Sequence, residues 1–149
     1  MSSGEIQFTT FYLGDRLYGI DVMRVQEVAT SLPLTAIRLA PNYIRGLINL
    51  RGQIATAIGM RELLGIEDQN KSDGTEMAVI CKIDNHLVSL QVDKIGDVIR
   101  FSTADFEPTP DTIQGKVKKY INGVYKSKGS ILSAIDIETV FSELNSASA

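Results

Sequence analysis

Cys81 and His86 are the only cysteine and the only histidine in the chain, and they stand close together in the stretch CKIDNH. A cysteine–histidine dyad is the one nucleophilic arrangement this inventory allows. However, Cys81 alternates with apolar neighbours in VICKI, which is the pattern of a core filler rather than of an exposed thiolate. One histidine and one cysteine also fall short of an ordinary zinc ligand set, so no metal is expected. The acidic pairs Asp93/Asp97 and Glu67/Asp68 lie at turns or in polar chain, where solvated loops account for them better than acid–base catalysis. No phosphate-binding loop, dinucleotide fingerprint or nucleophile elbow occurs, and no cofactor is expected. The basic run KVKK, Lys116 to Lys119, falls in an expected strand and reads as a solvated face or a guarded edge.

Two charges sit differently. Arg51 stands at the turn of the apolar stretch GLINLRGQIATAI, and Glu27 follows the apolar alternation of RVQEV. Both are expected to be partly buried and paired. The plainer alternative is a surface ion pair that contributes little.

These residues need elements to hold them. IQFTTFYL, a break at Gly14-Asp15 and RLYGI read as a β-hairpin. In DVMRVQEV, Val22, Val25 and Val28 fit a helical stripe while RVQEV alternates, so a turn of helix followed by a strand is expected. Pro33 and Pro41 bracket LTAIRLA, an edge strand or extended connection. Strand, tight turn at Arg51-Gly52 and strand follow, and MRELLG closes as a short helix ending at Gly65. EMAVICKI, the turn Asp84-Asn85 and HLVSLQV form a further hairpin that KIGDVIRF extends, and residues 101–115 are expected to be irregular. Ile137, Val140, Phe141 and Leu144 lie on one face of a helix over about 138–144, capped by Asp136 and trailed by a frayed NSASA.

The chain of 149 residues, 44% hydrophobic and 22% charged, is that of a globular protein with one domain or two small lobes sharing a core. A formal charge of −3 leaves no electrostatic footprint for nucleic acid. No apolar run reaches the ~18 residues of a membrane span, and the opening MSSGEIQF lacks a signal-peptide pattern, so a cytoplasmic protein without membrane insertion is expected.

The stretch from Ile44, IRGLINLRGQIATAIGMRELLG, returns 77 residues later as INGVYKSKGSILSAIDIETVFS from Ile121, with six of 22 positions identical. The shared residues include both glycines: Gly46 matches Gly123, and Gly52 matches Gly129. FTTFYLGDRLYGIDVMRVQEV and AVICKIDNHLVSLQVDKIGDV match by pattern at an offset of 70. The unit of two hairpins and a short helix is therefore used twice, a duplication that points to two small β lobes. Approximate lobes 5–65 and 76–146 joined by a linker at 66–75 are expected, with exchange of strands between them left open.

From about Ile6 to Leu144 the sequence resembles the CheW-like family of chemotaxis coupling proteins. FYLGDRLYGIDVMRVQEV and YIRGLINLRGQIATAIGMRELLG carry the likeness most strongly, with LVSLQVDKIGDVIRF, FEPTP and YINGVYKSKGSILSAIDIETVF in support. The resemblance implies a mainly β fold of two small SH3-like five-stranded β-barrel lobes with short helices and a C-terminal helix, forming a single CheW-like domain over 1–149. It implies a non-enzymatic adaptor between the cytoplasmic tips of chemoreceptors and a CheA-type histidine kinase, located in the cytoplasm at membrane-bound receptor arrays. A stand-alone module that binds kinase without bridging receptors, or an adaptor of a pilus, gliding or developmental pathway, is the alternative. By position, RVQEV and GLINLRG match receptor-facing segments. Val25, Glu27, Gly46 and Arg51 are carried over, then Val22, Val28 and Asn49, while no kinase-facing residue is assigned. The family's P-x-x-D-[LM]-R reads TAIGMR here, with Thr56 and Gly59 in place of proline and aspartate, so this helix is expected to start without a side-chain cap.

Overall fold

A computed structural model describes residues 4–30, 32–66, 76–113, 115–127 and 129–147. The repeat's glycines set its turns. In the hairpin of β4 (Ile44–Leu50) and β5 (Gln53–Gly59), Arg51 and Gly52 both take positive φ, 50° and 87°. That combination suits a two-residue turn whose twist matches the strands. Gly46 has a different task. A Cβ there would lie 2.5 Å from the Thr35 carbonyl oxygen, because the 33–41 segment docks on β4 through paired Thr35–Leu47 backbone hydrogen bonds of 2.8 Å. The segment is thus a connection with one bridge. Its repeat mate, Gly123, admits β9 (Phe106–Glu107) against β10 (Ile121–Ser127) in the same way.

The remaining strands are β1 (Glu5–Leu13), β2 (Arg16–Asp21), β3 (Val25–Thr30), β6 (Met77–Ile83), β7 (His86–Val92), β8 (Lys94–Ser102) and β11 (Ser130–Ile135). A 3-10 turn at Val22–Arg24 precedes β3, as the ambiguous DVMRVQEV pattern predicts. They form two sheets, β8-β1-β2-β11-β10-β9 and β3-β6-β7-β5-β4, so the protein is mainly β with two small lobes. The first sheet carries a two-residue sixth strand, β9, beyond the five expected.

Each sheet draws on both sides of the 66–75 stretch. The hairpin β4–β5 pairs in parallel with β7, and β10–β11 pairs in parallel with β2. The division into 5–65 and 76–146 therefore does not separate the sheets, and most of the stretch between them, 67–75, lies outside the described residues. A shared core joins the sheets. Phe11, Tyr18 and Ile20 of the first pack with Ile58, Val79, Val88 and Leu90 of the second.

Among the described residues the α-helices are α1 (Met60–Leu64), α2 (Lys116–Lys119) and α3 (Ile137–Ala147). Gly65 ends α1 in the left-handed region, φ 71°. KVKK is α2 rather than a strand: Val117 is the only apolar residue among the lysines, too little to sustain an alternating face, and the lysines are exposed. Asp136 caps α3, its carboxylate accepting from the Thr139 N–H at 3.2 Å, and the helix runs on to Ala147, into the expected tail.

Candidate functional site

Glu27 and Arg51 meet. The Arg51 guanidinium donates from both terminal nitrogens to the two Glu27 carboxylate oxygens, a two-pronged pair with Nη1 to Oε2 at 3.4 Å. Glu27 lies on β3, one edge of the second sheet, and Arg51 tips the hairpin that forms the other edge, so the sheet curls until its two ends touch. Burial differs from the expectation at one of the two: the Arg51 side chain is 70% exposed, whereas that of Glu27, 26% exposed, is partly buried. The turn lifts the arginine out of the sheet, and the pair is a solvent-facing feature. The hydrogen bond from Arg51 holds the Glu27 carboxyl below its usual range, and the same bond raises Arg51.

The other matched residues lie on the same strands and turns but do not all face this pair. Val25 lies opposite Cys81 and Glu27 opposite Ile80, so the register slips by one residue between them. That bulge turns residues two apart onto opposite faces. Val25 packs on the shared core, and Glu27 stands on the side of Ile80 with the smaller cluster of Ile48, Leu50 and Leu87. Val28 is exposed on β3, and Val22 is half-buried in the 3-10 turn. Asn49 accepts the Gly52 N–H at 2.9 Å and so braces the turn that carries Arg51. Gly46 is buried and contributes its lack of a side chain.

Chemistry of the nucleophilic kind does not assemble. Cys81 is fully buried, and burial pushes its thiol up to about 12, far from a thiolate. The exposed His86 ring packs 5.2 Å from that of Phe141. Among the described residues no group of three or more metal-ligating side chains is placed to hold an ion.

One cluster was not legible as such. Asp93, expected in a solvated turn, is 11% exposed and paired with Arg61 of α1, itself 12% exposed. The Arg61 Nε donates to the two Asp93 carboxylate oxygens at 2.8 and 3.0 Å, and the Gly14 N–H donates to Oδ2 at 2.7 Å. Burial pushes the carboxyl up, but the Arg61 hydrogen bonds, the Gly14 N–H and the Arg61 charge outweigh it and hold Asp93 below its usual range. The only sequence signal was the arginine closing TAIGMR.

Residues 7–145 match the model of the CheW-like domain. The chain is 33% identical over 141 residues to the chemotaxis protein CheW of Treponema pallidum, covering 93% of this chain and 83% of that one. It is 28% identical over 136 residues to the chemotaxis protein CheW of Klebsiella aerogenes, covering 91% and 81%. The crystal structure of the scaffolding protein TtCheW from Thermoanaerobacter tengcongensis superposes with a TM-score of 0.80 at 29% identity, covering 89% of each chain. These likenesses are to scaffolding proteins of chemotaxis rather than to enzymes, and the chain belongs to the CheW-like domain family.

Proposed function

We propose that the chain is an adaptor that couples chemoreceptors to a CheA-type histidine kinase, with the cytoplasmic tip of the receptor seated over the Glu27–Arg51 pair. The exposure of that pair carries the reading. An arginine 70% exposed, fixed on a braced turn, spends two of its five N–H donors on Glu27 and keeps capacity for a partner. Exposed Val28 on β3, the strand that carries Glu27, and exposed Ile54 just beyond the turn offer apolar area on the same elements. Polar anchors with apolar neighbours are the composition of a protein-binding surface.

Purified kinase and receptor tips in a pull-down with this chain test the reading. All three are expected in one complex. Arg51→Glu is expected to lose most receptor capture while keeping kinase capture, with its melting temperature within about 3 °C of the wild type, since an exposed pair supports the fold little. The double reversal Glu27→Arg/Arg51→Glu restores an ion pair but not receptor capture if these groups touch the receptor. Unchanged receptor capture by Arg51→Glu and by Glu27→Arg removes the pair from the site. Kinase capture without any receptor capture by the wild type favours a module that binds kinase alone.

A further inference from the structure

The two parallel seams share one repeat register. Ala55 lies beside Leu87 where β5 meets β7, and Leu132 lies beside Leu17 where β11 meets β2, displaced by the repeat offsets of 77 and 70 residues. A cleft forms at the same place on each seam. Leu17, Ile131 and Ser133 line it in the first sheet's lobe, and their repeat mates Leu87, Ile54 and Thr56 line it in the second's. The duplication has thus produced two copies of one concave surface.

The copies differ in what closes them. In the second lobe Phe141 and Leu144, one turn apart on α3, form a wall of the cleft, and about 240 Å³ remains. The Phe141 ring lies there 5.2 Å from that of His86. In the first lobe no residue of α1 lines the cleft. That helix ends at Gly65, and Leu64, the mate of Phe141, is 1% exposed in the shared core. The first-lobe cleft measures about 570 Å³ and continues past Asp15 and Arg16 into a further 330 Å³ beside Val117. Clefts of about 300–1,000 Å³ are of the size that binds ligands.

Charge differs as well. Arg16 stands at the position of His86 and Lys126 at that of Asn49, so the first-lobe cleft is the more basic, with Asp15 the one carboxylate among the described residues that line it. Lys126 is paired with Glu107 at 3.3 Å, whereas Arg16 is exposed and makes no ion pair among the described residues. A guanidinium at that place can pack on an aromatic ring, as His86 does, and bind a carboxylate besides. α3 shows what such a surface accepts. It presents Phe141 and Leu144 to the cleft, and its only charges are Glu138 and Glu143.

We propose that the first-lobe cleft is a docking site for an acidic amphipathic helix of a partner protein. The helix seats an aromatic side chain and a leucine one turn apart, as α3 does in the second lobe, and sets a carboxylate against Arg16. The site lies on the first sheet and stands whether or not the Glu27–Arg51 pair meets a receptor.

A fluorescein-labelled peptide of residues 136–147, DIETVFSELNSA with Ser142→Lys joined to Glu138 by a lactam on its exposed face, tests this by anisotropy against the full chain. The bridge removes the fraying that makes a free helix of this length marginal. Saturable binding is expected below ~1 mM. Arg16→Glu and Ile131→Asp are each expected to weaken it about fivefold or more. Both side chains are exposed, Ile131 by 57%, so melting temperatures should stay within about 3 °C of the wild type. The same peptide with Phe141→Ala and Leu144→Ala should not bind. No binding to the wild type up to ~1 mM overturns the proposal. Binding untouched by both chain variants overturns it too, since the peptide would then be replacing α3 in the second lobe. Dimerisation in sedimentation that Ile131→Asp abolishes, without peptide binding, assigns the cleft to a second copy of the chain and overturns the helix.

Discussion

Asp93 accepts hydrogen bonds from Arg61 and the Gly14 N–H, which belong to α1 and to the β1–β2 turn, so one carboxylate ties three elements together. Its pKa is lowered by folding. A lowered carboxyl binds fewer protons in the folded state than in the unfolded state, so its stabilisation is complete above the unfolded value of about 4 and is lost as pH falls through the folded value. Asp93→Asn is expected to cost about 1–3 kcal/mol at neutral pH, because it removes the charge that accepts from Arg61 and the Gly14 N–H. Its urea midpoint should also fall less than that of the wild type between about pH 5 and pH 2. Parallel acid titrations of the two midpoints would refute this role for Asp93. Sequence reading placed this residue in a solvated turn for a physical reason: its partners are 32 and 79 residues away, and neither Arg61 nor Gly14 changes the local pattern around it. The Glu27–Arg51 contact was legible because each charge interrupts an apolar run. The exposure of Arg51 was not, since it depends on how the turn tips out of a curled sheet.

The hairpins, α1 and α3 were legible from their turn residues and apolar periodicity; α2 was not, because the four residues of KVKK carry no period that separates helix from strand. The start of α1 is a case where absence of a residue was readable too. Gly59 caps α1 with no side-chain hydrogen bond, whereas its repeat mate Asp136 caps α3 and accepts from the Thr139 N–H and hydroxyl. The backbone N–H of each donates to a tyrosine carbonyl, Tyr43 and Tyr120, at 2.8 Å, so the two helix starts are superposable in their hydrogen bonding. Gly59 has φ −79° and ψ 113°, open to any residue. A Cβ there meets the Glu62 carboxylate, the mobile end of a long side chain. Gly59→Asp is expected to displace Glu62 and raise stability by about 1 kcal/mol, read as a higher urea midpoint. Gly46→Ala is the opposite case. With φ 147° and the Thr35 carbonyl oxygen 2.5 Å from the new Cβ, the 33–41 segment must leave β4. A loss of about 2 kcal/mol is expected, with exchange protection lost at the Thr35 and Leu47 amides.

At the scale of the whole molecule, the duplication was legible from identities at a fixed offset, but the exchange of hairpins was not. The parallel seams β5–β7 and β2–β11 join strands whose own sequences carry no sign of which copy they will meet. The exchange makes the molecule one cooperative unit. A fragment ending at Gly65 would hold β5 without β7, β2 without β11 and β3 without β6, leaving each of these strands without its inter-half partner. It would also expose Phe11, Tyr18, Ile20 and Ile58, which pack against Val79, Val88 and Leu90 of the other half. Residues 1–65 and 76–149, made separately, are therefore expected to lack the sheet signal of the intact chain in far-ultraviolet circular dichroism. Mixing them is expected to restore it, with a concentration dependence set by their association. Equilibrium unfolding of the intact chain should follow a single transition by both circular dichroism and tyrosine fluorescence. A fragment that folds alone with a cooperative transition would show that each half can satisfy its own strands, and that the shared core is not what makes the two lobes depend on each other.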